Sequence, residues 1–408
     1  MLGVGYDMKD SKVTVIDSIC GSGKTSKFIE IMNNNTNNKY IYITPYLDEI
    51  QRVLNSCDNR VFYEPKTERG EGSKLKDFNN LLSQGKNIVS THSLFAMVND
   101  ETLRYLEKYN YTLVMDEVFE VCSEIKITKS DREILLRDKV SISEDGKLTW
   151  IDKEYKGTLT KYKNAIEKGD CYIFDDCFML WTFPCKVMNA LEHTYILTYM
   201  FRGQLQRYYY DMNEIKYEYK SIKKINGKYE IIEYLEKGDL TYLRDLINIC
   251  DNEKLNKIGE GRYTLSKSWY IKQDNNKTDA FDLLKNNIYN YFRNITKSKS
   301  KDNMWTTFKD YKNNLKGAGY SKGFISCNAR ATNEYRNKRN LAYTINTFNN
   351  PMILKFFRNK NVNVDEDSFA LSELIQWIFR SQLRDNKPIN IYVPSSRMRE
   401  LLVKWINK

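Results

Sequence analysis

A run of apolar residues, Val13-Thr14-Val15-Ile16, passes through Asp17-Ser18-Ile19-Cys20 into a glycine turn, Gly21-Ser22-Gly23-Lys24-Thr25, and then into the helical pattern of residues 26–33. Strand, glycine turn and helix in that order are the context of a phosphate-binding loop. Gly21 and Gly23 let the backbone N–H groups of residues 21–26, from Gly21 and Ser22 to Ser26, curl around an anion at a helix N-terminus, where the helix dipole favours negative charge. Lys24 can reach the outer phosphates and the Thr25 hydroxyl can hold Mg²⁺, so nucleotide is the first ligand to expect. The first glycine of the commonest spacing would fall at position 18, where this chain has Ser18.

A second apolar run, Tyr111-Thr112-Leu113-Val114-Met115, ends in the acidic pair Asp116-Glu117. Buried parallel strands read as continuous apolar runs, so both carboxylates should emerge at the carboxyl edge of a sheet, beside the phosphate loop. Asp116 is the expected metal ligand, with Thr25, and Glu117 the residue that polarises an attacking water.

A chain of 408 residues can bury two cores of ordinary size. The 64 basic residues outnumber the 53 acidic ones for a formal charge of +11, which implies a folded protein with a basic face and a polyanionic partner. The aromatic residues, 13% of the chain, furnish core and also planar surfaces for unpaired bases. The eight cysteines form no C-x-x-C pair, which fits reduced thiols in a cytosol rather than a metal site. No stretch approaches the roughly 20 apolar residues of a membrane span, and 1–11 has no apolar signal-peptide core, so a cytoplasmic protein without a membrane partner is expected.

Further along, 40–44 reads as a strand ending at Thr44-Pro45, 47–54 as a helix with Asp48 and Glu49 in its first turn, and 87–91 and 194–198 as strands. Alternating strands and helices imply a parallel, helix-covered sheet. The charged span 126–170 reads as an insertion or lid, and Lys224-Ile225-Asn226-Gly227-Lys228-Tyr229 as a hairpin. In the second half, 305–307, 324–327 and 389–393 read as strands and 367–383 as a helix. On that helix Gln376, Arg380 and Arg384 recur every four residues and would form one slowly rotating stripe.

In their order these motifs resemble those of superfamily 2 DNA helicases (DEAD/DEAH-like), and in particular the minimal helicases of bacteriophages, over nearly the whole chain. Residues 18–25 resemble motif I, Ile43-Thr44-Pro45 motif Ia, Ser90-Thr91-His92 motif Ib, Asp116-Glu117-Val118-Phe119 motif II and Leu197-Thr198-Tyr199-Met200 motif III. Trp305-Thr306-Thr307 resembles motif IV, Asn328-Ala329-Arg330-Ala331-Thr332-Asn333 motif V, and 376–384 motif VI. Tyr199-Met200 departs from the small residues usual in motif III, and Leu383 stands where the second arginine of motif VI commonly falls.

The resemblance implies an α/β protein of two tandem RecA-like parallel-sheet domains with an ATP cleft between them: 1–205, carrying the insertion 126–170, and 206–408, with 206–300 as linker or insertion. It implies ATP and Mg²⁺ as cofactors, with Lys24, Asp116, Glu117, Gln376, Arg380 and Arg384 as the catalytic set. The nucleic-acid track would comprise Thr44, Pro45, Thr91, His92, Thr307 and Arg330, with Thr198 coupling it to the nucleotide. The implied function is ATP-driven translocation that unwinds duplex DNA in phage replication or recombination, by a monomer in the host cytoplasm. Single-stranded or forked DNA would be the partner, RNA not being excluded, with replication or recombination proteins alongside. Two alternatives stay open, a DNA-packaging motor ATPase and a nucleotide-gated nucleic-acid clamp that does not unwind.

Overall fold

The structure, a computed structural model, describes residues 12–236, 240–327 and 334–407. The described residues up to Tyr234 cluster with Asn350–Val364 as one compact unit, and Leu235–Asn349 clusters with the chain from Asp365 onward as a second. The expected division at 205/206 therefore differs from this clustering in two places. The boundary lies at 234/235, and a segment of the second half returns to the first unit.

The first unit is built on strands β1 (Val13–Asp17), β2 (Lys39–Thr44), β3 (Phe62–Tyr63), β4 (Asn87–Thr91), β5 (Tyr111–Asp116), β6 (Cys122–Ile125), β7 (Val140–Ile142), β8 (Lys147–Trp150), β9 (Asp170–Phe174), β10 (Phe178–Thr182), β11 (His193–Thr198), β12 (Tyr217–Ile225) and β13 (Lys228–Glu233). Its main sheet runs β13-β12-β1-β11-β5-β2-β4-β3. Every pairing in it is parallel except the β12–β13 hairpin. All five residues of β1 and all six of β5 are buried, as strands covered on both faces require. Phe28, Ile29 and Met32 of helix Lys24–Asn34 pack against one face with Ile16, Tyr42 and Val114.

The remaining strands make an antiparallel sheet, β6-β10-β9-β8-β7. This sheet is the body of the insertion, which spans 122–182 and is thus wider than 126–170. Its own core gathers Leu135, Leu148, Trp150, Tyr162 and Met179.

Helix Pro351–Asn359 lies in the second half of the sequence but packs into the first unit. Ile353, Leu354, Phe356 and Phe357 join the cluster that holds Tyr172, Phe178 and Tyr208. Its start is set by Asn350, whose Oδ1 accepts from Met352 N at 2.9 Å, and by proline in the first turn.

The second unit holds β14 (Ile247–Ile249), β15 (Asn303–Thr306), β16 (Asn340–Tyr343) and β17 (Ile389–Tyr392) in the all-parallel order β14-β17-β16-β15. The strand expected at 324–327 is reduced to one bridge, Trp305 to Phe324. The chain is thus α/β, each unit carrying a parallel sheet. Among the described residues no helix is long and apolar enough to cross a membrane.

Candidate phosphate-loop site

Strand order determines which chemistry meets at one edge. β11 lies between β1 and β5, with Asp17 opposite Thr198 and Leu197 opposite Asp116. β2 follows on the other side of β5, and Thr44 stands opposite Thr91 of β4. All five strands run the same way, so their carboxyl ends bring the phosphate loop, Thr198, the acidic pair, Thr44 and Thr91 to one edge, where ligands of open α/β sheets bind.

The loop leaves β1 held at both ends. Ser18 N donates to Thr198 O at 3.0 Å, and Ser18 Oγ accepts from Ile222 N at 2.8 Å. This second bond gives the serine at the glycine position a structural use. Gly21 and Gly23 have φ of 82° and 90°, a region costly for residues with a Cβ. Lys24 is buried, and its Nζ donates to the carbonyls of Ser18 at 2.5 Å and Ile19 at 3.1 Å. The Thr25 hydroxyl donates to Asp116 Oδ1 at 3.3 Å, and Ser26 Oγ accepts from Arg52 Nη2 at 2.7 Å.

Asp116 is 6% exposed, and its second oxygen accepts from Thr44 Oγ1 at 3.4 Å. Burial, with Glu117 and Glu49 nearby, pushes its carboxyl up to about 7. Glu117 has φ 67°, unusual for a residue with a Cβ, and its backbone N–H donates to Leu197 O at 3.0 Å. Among the described residues the buried hydroxyls Ser22 Oγ and Thr198 Oγ1 have no hydrogen-bond partner. Unpartnered hydroxyls around the glycine loop and a buried carboxylate beside the Thr25 hydroxyl fit a phosphate ligand and a divalent cation, the latter at Thr25 and Asp116.

Three positioning residues at this edge escaped sequence reasoning. Asp17 accepts from the backbone N–H of Met200 at 2.7 Å and of Phe201 at 3.1 Å, tying the end of the loop strand to the turn after Thr198. Burial outweighs those two bonds and raises its carboxyl above the usual range. The side-chain carbonyl of buried Gln206 accepts from Phe119 N at 2.8 Å and so fixes the chain just after the acidic pair. Ser221 Oγ donates to Asp17 O at 3.4 Å. Asp17 was at least adjacent to a motif. Nothing in the sequence around Gln206 signals a residue 87 positions away.

The expected track residues take varied places. Thr44 is wholly buried, and its hydroxyl serves Asp116 and accepts from Tyr46 N at 3.2 Å; Pro45 follows it at the edge. Thr91 caps the short helix His92–Phe95 by accepting from Leu94 N. His92 is buried, edge-on to Phe119 with ring centroids 5.8 Å apart. In the second unit Thr307 is wholly buried, while Arg330 and the rest of 328–333 lie outside the described residues.

The stripe on 376–384 is corrected. The helix Glu366–Ile378 ends at Phe379, and Ser381 then caps a 3₁₀ turn, Gln382–Asp385, by accepting from Leu383 N. Gln376 is on the helix, Arg380 in the break and Arg384 on the turn, so the four-residue spacing does not make one helical face. Arg380 is half-buried, its Nη1 without a hydrogen-bond partner among the described residues, and Arg384 is exposed.

Fold and site together define an α/β protein whose glycine loop and acidic pair share one edge of a parallel sheet. The chain belongs to the YonV family. It is 44% identical over 409 residues to the SPbeta prophage-derived protein YonV of Bacillus subtilis (strain 168), covering 97% of this chain and 98% of that protein. Residues 241–406 match the family model described as the YonV C-terminal Rossmann-like domain. Among solved structures it is similar to S. tokodaii Xpd4 at 13% identity, over 97% of this chain and 94% of that one, with a TM-score of 0.48. An apo XPD structure is similar at 13% identity, over 96% and 95% of the two chains, with a TM-score of 0.49.

Proposed function

We propose that this protein is an ATP-driven nucleic-acid translocase that unwinds duplex DNA, and that it serves prophage replication or recombination. The observation that carries the reading is the shared edge: Lys24, Thr25, Asp116, Glu117 and Thr198 converge there, with the Thr25 hydroxyl 3.3 Å from the Asp116 carboxylate. The motif order and the basic balance of the chain point to nucleic acid as the partner, and the prophage origin of the B. subtilis relative supports the phage role.

Lys24, anchored on two carbonyls, keeps an N–H for a phosphate oxygen, while the N–H groups of 21–26 and the Ser22 hydroxyl bind the rest of the phosphate chain. Thr25 and Asp116 would hold Mg²⁺, whose charge would neutralise that of the phosphates. Glu117, fixed by its bond to Leu197, orients water and accepts its proton. Thr198 has a buried hydroxyl with no hydrogen-bond partner among the described residues, between the loop and the acidic pair, which suits a residue sensing whether a γ-phosphate is present. Arg380, rather than exposed Arg384, is assigned the stabilisation of charge on the transferring phosphoryl group.

The test is ATP hydrolysis with and without single-stranded DNA or RNA, comparing wild type with Glu117→Gln, followed by unwinding of a forked duplex. Stimulation by the strand, abolished by Glu117→Gln with ATP binding retained, is expected. Turnover indifferent to both the strand and the substitution would refute the motor.

A further inference from the structure

Gly23 precedes Lys24 and has no side chain, which leaves its backbone bare for a close-approaching ligand. Here that bare face is covered by the protein itself. A Cβ built on Gly23 would lie 2.3 Å from Tyr229 Cε1, 2.4 Å from Cζ and 2.5 Å from Cδ1. The tyrosine comes from β13, more than 200 residues along the chain, and the hairpin that carries it is fastened beside the loop. Its base is tied by Ile222 N to Ser18 Oγ and by Ser221 Oγ to Asp17 O, and its outer strand by the Glu230–Lys27 ion pair at 3.5 Å. Lys224 Nζ lies 5.7 Å from the centroid of the Tyr229 ring.

We propose that Tyr229 is an intramolecular plug of the phosphate loop. Its ring occupies the surface of Gly23 that a bound triphosphate needs, and nucleotide enters only when the tip of the β12–β13 hairpin lifts the ring away. The proposal rests on the reading of 21–26 as the nucleotide site. The hairpin is suited to this movement. Ser221 and Ile222 at its base are buried, whereas Lys223, Lys224, Ile225 and Lys228 toward the tip are exposed. Asn226 and Gly227 both have positive φ, 49° and 83°, the two-residue turn that matches strand twist. The tip is therefore a complete turn beyond an anchored base, and an isolated two-stranded ribbon is only marginally stable. On the loop side it is held by the ring on Gly23, by Tyr229 and Ile231 packed, only partly buried, against the cluster of Phe28, Ile29 and Met32, and by one ion pair whose glutamate is half-exposed.

A plug reduces apparent affinity by the fraction of molecules in the open state. If the ring is seated about nine-tenths of the time, its removal tightens binding about tenfold. Because the plug competes with phosphates rather than with the base, the gain applies equally to ATP and to inorganic tripolyphosphate. An aromatic that stacked on the base would give the opposite sign, and for ATP alone.

The experiment is calorimetric titration of the full chain and of Tyr229→Ala with ATP and with inorganic tripolyphosphate, both with Mg²⁺. Expected is tighter binding of both by the variant, on the order of tenfold. Equal or weaker binding by the variant, with wild type binding ATP, overturns the plug and leaves the nucleotide site standing. Binding of neither ligand by either protein overturns the nucleotide reading itself. Hydrogen exchange of 222–233 in the wild type needs no variant: ATP should accelerate it, and protection by ATP overturns the proposal.

Discussion

Helix Pro351–Asn359 provides a strong test of how this chain is partitioned, because its sequence neighbours on both sides belong to the other unit. Phe357 is 0% exposed, its ring centroid 5.7 Å from that of Tyr208, and adjacent Phe356 lies 5.3 Å from Tyr172. Truncating a buried phenylalanine to alanine costs about 3–5 kcal/mol, the lost transfer energy plus the cavity left behind. The flanking pairs Lys355–Asp175 and Lys360–Asp145 are too exposed to offset this. Phe357→Ala in the full chain should therefore lose several kcal/mol, and the loss should fall on the first unit. Hydrogen exchange resolved by peptide reads this directly: β5, β10 and helix Leu205–Met212 should lose protection while β15–β17 keep theirs. A cost below about 1 kcal/mol, the scale of an ordinary surface change, would refute the packing. Loss confined to β15–β17 would refute the assignment of the helix to the first unit.

Asp17→Ala leaves the N–H groups of Met200 and Phe201 without their acceptor, at about 1–3 kcal/mol each, whereas Asp17→Asn keeps one acceptor. The alanine variant should melt clearly lower than the asparagine one in a thermal scan, and equal melting points would remove the latch. His193 is held neutral by burial, its pKa lowered from 6.5, with Nε2 3.0 Å from the Thr14 hydroxyl that donates to Glu218. The unfolded chain binds the proton first, so stability contributed by this histidine is intact above pH 6.5 and is lost as pH falls below it. Denaturant titrations from pH 7.5 to 5.5 should show a decline that His193→Gln flattens. Arg380→Ala should reduce kcat for ATP by a factor of about 10²–10³, the usual cost of a lost charge-stabilising donor, with ATP binding little changed. Arg384→Ala should do less, and the reverse ranking would transfer the role.

The elements that carry the edge were legible because each is written locally. β1, β2, β4, β5 and β11 each carry an apolar stretch, long in β1 and β5 and short in β4, and end in a residue with chemistry, and parallel pairing then places those ends together. The Asn226-Gly227 hairpin was legible for the same reason, since the turn type is dictated by two residues. What the sequence did not display is non-local. Gln206 acts on Phe119 across 87 positions, and Tyr229 acts on Gly23 through a hairpin whose docking depends on β12 choosing β1 as its partner. The helical period through 376–384 was read correctly as a period, but it predicts one helix only while no residue inside offers the backbone a competing bond. Ser381 does so, its hydroxyl donating to Ile378 O and accepting from Leu383 N, and the stripe is broken there.

The same distinction explains how a long insertion coexists with a site that tolerates little displacement. The insertion leaves the sheet after β5 and returns before β11, between the acidic pair and Thr198. Its two ends are closed on each other first: Cys122 pairs with Thr182, and Phe183 N donates to Val121 O at 2.8 Å. Closing a loop costs entropy that grows only logarithmically with its length, so once these ends are paired the length between them is nearly free. Glu117 N can then keep its 3.0 Å bond to Leu197 O regardless of what the antiparallel sheet beyond contributes. The geometry of the acidic pair accordingly depends on the β6–β10 closure and on Gln206, while the helix Pro351–Asn359 bears on the body of the insertion. Shortening the β7–β8 turn should leave the edge intact, and opening the Cys122–Thr182 pairing should not.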